Sequence, residues 1–424
     1  MSVVPLRMPA APMTAILTTR VQPAAWWEQV LVTLWILTTL VQFQNDTLIL
    51  YPCALVLVIL FLKYAEFTIP LALKSAVLLS LPVLVTLSSG WTAAPPADTM
   101  RAGFLMIMNF VIMITIATRL TRREIVRCLF FAGIAMLVII APIWQVLHLD
   151  SQFGSKNLIA IRMLFILFAS LAVAYDSEES YLLRFAAVPI AAIALLFTVL
   201  ANSATATLLA IAGVGILTMA WMVWQPASRV RHLRSFVVIA GSLTLFIAVM
   251  ILLSLPNNTM IDDILARFGK DSTLTNRTLM WEAGNRFAEQ KPVFGHGYGS
   301  FWRPEVGAAQ TLNELDHRAP GTKHSFHNTY IEVRVGLGFV GLTALIIQLA
   351  WAMSLNVRSW FQSRGMSASF FLLMGIVILI TTFTESYMQG IFETMVLFYY
   401  LGGITAIAQK YHTGVRQRVV LRPA

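Results

Sequence analysis

Long apolar runs separated by short polar connections set the pattern of this chain. The runs recur from residue 26 to residue 408, and each is close to the ~20 residues an α-helix needs to cross a bilayer core. By that criterion they predict about twelve spanning helices, over 26–44, 47–62, 70–89, 101–118, 128–148, 158–175, 185–201, 206–224, 235–255, 333–356, 368–384 and 391–408. One connection breaks the rhythm. Residues 256–326 form a polar stretch of about 70 residues, and loops of that length in compact folds are usually functional. The expectation is an all-α polytopic membrane helix bundle in three parts. Residues 1–255 hold the first nine helices, 256–332 the large loop with the candidate chemistry, and 333–424 the last three helices and a basic tail.

Composition agrees with a membrane chain. Of the 424 residues 58% are hydrophobic and only 12% charged, about half the charged share of a soluble domain. The first 25 residues carry Arg7 and Arg20 without an uninterrupted apolar core. They predict no cleavable leader, so the first spanning helix itself serves as the targeting signal. The net charge of +10 points away from nucleic acid once its placement is read. Arginine crowds RLTRREIVR (119–127), RVRHLR (229–234), RSWFQSR (358–364) and the tail KYHTGVRQRVVLR (410–422). The alternate connections WTAAPPADTM (91–100), DSQFGSKN (150–157), the Asn202-Ser203 turn and ESYMQG (385–390) contain a single basic residue, Lys156. The positive-inside rule then places both termini in the cytoplasm and the large loop outside it.

The candidate chemistry lies on that outer side. Lys156 and Asn157 open the sixth apolar run, and Arg162 follows about one and a half turns inside it. An intramembrane arginine marks a binding site or a paired charge, or else snorkels to the head groups. In the loop, Arg277 precedes Trp281 by four residues, so a helix puts both on one face. Its guanidinium suits phosphate oxygens, against the plainer alternative of an ion pair with Asp271 or Glu282. The run VFGHGYGSFW (293–302) offers glycines for close backbone approach and aromatic faces for sugar rings, or simply a turn packed on the bundle. In KHSFHNTYIEVRVGLGFVGL (323–342), His324 and His327 fall one helical turn apart, with Asn328, Tyr330, Glu332 and Arg334 crowding the same helix entry. Gly336, Gly338 and Gly341 predict close packing against a neighbouring helix.

No HExxH segment and no close Cys/His quartet occurs, and Cys53 and Cys128 are far apart in apolar runs, so no metal site or cofactor is expected. Reactions outside the cytoplasmic membrane lack ATP and use substrates activated beforehand, such as glycans on a lipid diphosphate. His327 fits a base or hydroxyl orienter, with His324 as second choice. Arg277, Arg162, Lys156 and Arg334 fit electrostatic stabilisation of a departing diphosphate.

The order TNRxxxW, GHGYG and HNxYxE, followed by a glycine-rich helix, resembles the O-antigen ligase and polysaccharide polymerase superfamily of bacterial inner-membrane proteins. TLTNRTLMW and GSKN are most similar to exopolysaccharide polymerases of the succinoglycan type. The chain departs from that subgroup at Asn276, where a glycine commonly stands, and at Ser155, where a histidine does. The resemblance implies a GT-C-like architecture and a glycosyltransferase acting on undecaprenyl-diphosphate-linked oligosaccharides. It assigns the histidine role to His327, with His324 as second choice, the loop-arginine role to Arg277 and a further cationic role to Arg162; Lys156, Asn157, Trp281, Asn328, Tyr330 and Arg334 around them are the candidates for contacting diphosphate or glycan. It also implies membrane lipid, a flippase and chain-length or export proteins as partners. The expected activity is repeat-unit polymerisation. The alternatives are a ligase passing glycan to the lipid A core and, outside the enzymes, a lipid-linked oligosaccharide flippase. Transporters commonly show repeated halves, and no such repeat is visible here.

Overall fold

The computed structural model describes residues 13–19, 21–41, 47–141, 156–230, 232–254, 277–315, 317–319, 321–413 and 415–421. Among the described residues every predicted apolar run falls on helix, and these residues are almost wholly helical. The exception is a two-stranded antiparallel ribbon in which Met13–Thr19 pairs with Val415–Leu421, Met13 opposite Leu421. Among the described residues, five helices are long and apolar enough to cross a membrane, or six if one bent pair counts as a span. The pair is Thr47–Lys63 and Ala65–Lys74, bent by 99° at Tyr64. The run predicted over 70–89 is not one helix. It consists of the end of Ala65–Lys74, a 3-10 segment Ala76–Leu79 and the helix Ser80–Ser88. Trp26–Leu40 and Met366–Thr381, at 15 and 16 residues, fall short of the ~20 needed for a full crossing.

Burial follows composition. Apart from Arg162, the helix Lys156–Tyr175 is apolar around most of its surface, and 89% of its apolar stretch is buried within the protein, as such a helix requires. Tyr181–Leu200 is about as apolar, but only 22% of its apolar stretch is buried. Leu182 and Phe185 stand 77% and 68% exposed, an outer face that lipid satisfies and water does not. The chain is a membrane protein.

The two groups of connections gather at opposite ends of the bundle. At the arginine-rich end, Arg122 Nη2 donates to Gly402 O at 2.7 Å and Arg122 also reaches Ser359. There Arg234 Nη1 donates to Phe361 O and Ser363 O, both at 2.8 Å. Arg123 and Arg127 meet Glu179, and Arg119 pairs with buried Glu28 at 2.7 Å. At the other end, Ala93 N donates to His296 O, Asn328 N to Ser386 Oγ, and Thr329 Oγ1 to Glu385 O at 2.7 Å. Residues that pattern alone assigned to one side thus touch one another.

The glycines of the 323–342 stretch do a different job from the expected helix-on-helix packing. The helix Thr329–Gln362 is interrupted at Gly338, whose φ of 63° and ψ of −160° are non-helical, a region essentially reserved for glycine. The break frees backbone groups that the 293–297 turn takes up. His296 N donates to Val335 O, Gly297 N to Gly336 O, and Val340 N to Val293 O. A Cβ at Gly338 would lie 2.3 Å from Val293 O. Gly338→Ala is therefore expected to cost on the order of 3 kcal/mol from backbone strain and overpacking together. The check is the apparent melting temperature in detergent; an unchanged value would show that the turn and the helix separate freely.

Candidate functional site

The site forms where the sequence turns from loop to helix. His327 sits at φ 49°, a left-handed conformation that His tolerates better than most residues. That turn stops the incoming chain and lets Asn328 cap Thr329–Gln362. Asn328 Oδ1 accepts from Tyr330 N at 3.0 Å and Ile331 N at 3.2 Å. The capped entry is fastened to the 382–386 segment through Thr329 N to Thr382 O and Thr329 Oγ1 to Glu385 O.

Glu385 is the centre. Its Oε2 lies 2.8 Å from His327 Nδ1. Its Oε1 accepts from Asn157 Nδ2 at 3.0 Å and from Arg277 Nη2 at 3.2 Å. Burial alone raises this carboxyl, but the His327 hydrogen bond and charge, the Arg277 charge and the Asn157 amide outweigh it. The group is held below the ordinary carboxylate range. Each partner is itself held. Asn157 Oδ1 accepts from Ser203 Oγ at 3.0 Å, and Arg277 Nη1 donates to Thr384 O at 2.7 Å. A carboxylate that accepts the Nδ1–H of a histidine fixes the tautomer and leaves Nε2 as the free acceptor.

A second layer holds the histidine turn. The helix Arg277–Gln290 puts Arg277 and Trp281 on one face, and Trp281 Nε1 donates to Phe326 O at 2.9 Å. Phe326 N donates to Glu332 Oε2 at 2.9 Å, and Trp302 Nε1 to Glu332 Oε1 at 3.2 Å. Phe326, fully buried, packs with Phe301 and Trp302 in a small separate core. The His324 ring lies 5.1 Å from that of His327 and 5.2 Å from that of Trp302.

Other predicted residues are placed elsewhere or held structurally. Arg334 donates to Asn285 Oδ1 at 3.0 Å and stacks on Phe339, away from Glu385. The Tyr330 hydroxyl accepts from Thr382 Oγ1 at 3.0 Å. Lys156 is the first residue of its helix; Gly154, Ser155 and residues 272–276 lie outside the described residues. Arg162 does not snorkel. It is 1% exposed, and its Nη1 and Nη2 make no hydrogen bond among the described residues; Glu393 is the carboxylate acting on it. His296 Nε2 lies 2.8 Å from Phe287 O, and its ring stacks on Phe287. Burial lowers its pKa, with Phe287 O opposing and Lys291 adding to the shift. The glycine-rich turn is therefore a packed one. Glu385 is the residue that pattern reading missed: an isolated carboxylate in a short connection, with no motif around it.

The O-antigen ligase family model matches residues 189–346. That range contains Arg277, Trp281, His324 and His327, while Asn157, Arg162 and Glu385 lie outside it. The chain is also similar to the Exopolysaccharide production protein ExoQ of Rhizobium meliloti (strain 1021), 28% identical over 273 residues. That likeness covers 62% of this chain and 60% of the relative. Both bear out the resemblance to the O-antigen ligase and polysaccharide polymerase superfamily.

Proposed function

We propose that this protein is a polymerase joining undecaprenyl-diphosphate-linked oligosaccharide repeat units into an exopolysaccharide. It works on the periplasmic side of a bacterial inner membrane, with about twelve crossings, both termini cytoplasmic and the 256–332 loop outside. The observation that carries the reading is the 2.8 Å contact of His327 Nδ1 with Glu385, a carboxylate also held by Arg277 and Asn157. In this reading Nε2 of His327 takes the proton from an acceptor hydroxyl as its oxygen attacks the anomeric carbon of the donor. The anomeric carbon–oxygen bond breaks, and the electron pair leaves with the lipid diphosphate. Arg277 and Arg162 offset the charge that develops there. Flippase and export proteins are its expected neighbours.

Sizing the undecaprenyl-linked glycans of a deletion strain tests the reading. Single repeat units accumulating on lipid are expected. Long polymer stranded on lipid would instead mark a ligase, and repeat units trapped on the cytoplasmic face a flippase.

A further inference from the structure

Beside the histidines lies a cavity of about 650 Å³, within the range of small-molecule sites. The space behind Glu385, bounded by Thr329 and Thr382, has no room for a water molecule. The larger cavity mixes charge with apolar surface: Arg101, Arg303 and Lys323 line it together with Ala102, Leu105 and Ile391. The positive N-terminal end of the helix Pro96–Arg119 opens on it through Pro95 and Thr99, which favours an anion. Carboxylates line it too: Glu305 pairs with Arg303 at 3.0 Å, and Asp98 stands in the first helical turn. Arg101 Nη2 donates to the Tyr51 hydroxyl at 3.4 Å. Among the described residues, neither Arg101 nor Lys323 forms an ion pair with a carboxylate. Trp302 is the partition: its indole lines the cavity and stands 5.2 Å from the His324 ring.

We infer that this cavity seats the phosphate-bearing head of a second lipid-linked glycan, the acceptor. The inference rests on the glycosyl-transfer reading above. Guanidinium and ammonium groups bind phosphate oxygens, and Ala102, Leu105 and Ile391 give apolar contact to the start of a prenyl chain. Polymerisation needs two lipid-linked substrates at once, one donor and one acceptor. A second cationic seat, separate from the Arg277–Glu385 cluster, meets that need.

Full-length protein in phosphatidylcholine nanodiscs is titrated with undecaprenyl diphosphate and, separately, with phosphatidylglycerol. Wild type is expected to bind two equivalents of the diphosphate, and Arg101→Gln/Lys323→Gln one. Lys323→Gln alone, at an exposed side chain, is expected to weaken one of the two sites roughly tenfold, which keeps the test if the double variant fails to fold. Two equivalents in the double variant, one in wild type, or an unchanged affinity in Lys323→Gln overturns the inference. An equal loss of phosphatidylglycerol binding also overturns it, because the cavity then holds bulk lipid. His327→Asn separates this from the catalytic reading: it is expected to keep both equivalents while losing polymer.

Discussion

Replacing His327 by asparagine is expected to lower the rate of glycan transfer by about 10²- to 10⁴-fold, the range a positioned general base supplies. Asparagine is the informative choice because residue 327 stands at φ 49°. Asn is enriched in that left-handed region whereas alanine is penalised there. His327→Asn therefore keeps the turn, while its amide has no basic nitrogen to take a proton. His327→Ala should lose the same rate and some stability as well. The measurements are polymer formation from purified lipid-linked repeat units and thermal stability in the same detergent. Normal polymer from a stable His327→Asn protein would remove this histidine from the chemistry. His324 would then be next, since its ring lies 5.1 Å away.

How far the sequence showed these features depended on the range of the forces that set them. Helix positions were legible because about 20 apolar residues in a row have few other solutions in a membrane. Connections that the alternation groups together do touch: Arg127 pairs with Glu179, and Arg234 donates to Phe361 O. Helix breaks were less legible. Nothing around Tyr64 announces a 99° bend, and the three glycines after His327 read as a packing stripe although Gly338 breaks the helix. In the candidate site, helical spacing correctly paired Arg277 with Trp281, whereas His324 and His327 lie in the turn before their helix and not on a shared helical face. Glu385 was not found. It lies 58 residues from His327, and a contact that distant is decided by tertiary packing alone.

Glu385→Gln is expected to cost nearly as much rate as loss of the histidine, about 10²- to 10⁴-fold, by analogy with the acid of a catalytic triad. The glutamine keeps the volume, so the loss comes from what the carboxylate does. Oε2 accepts from Nδ1 at 2.8 Å and so holds the proton there, leaving Nε2 free. An amide is able to turn its NH₂ toward Nδ1, which moves the ring proton to Nε2 and removes the base. It also supplies no charge to stabilise the imidazolium as it forms. Arg277 would lose the counter-charge at 3.2 Å and become available to an anionic substrate, so KM for the lipid diphosphate should fall or hold while kcat drops. A purely structural Glu385 would move KM upward and leave the residual kcat intact. Stability supplies a second readout. The Glu385 carboxyl is depressed in the folded protein, so its contribution is present above the ordinary carboxylate value and is lost as pH falls through the lowered one. The stability difference between wild type and Glu385→Gln should therefore be constant above about pH 5 and shrink on further acidification. A difference that instead grew toward acid would mean that the carboxylate is a buried liability, with His327 and Arg277 failing to compensate it.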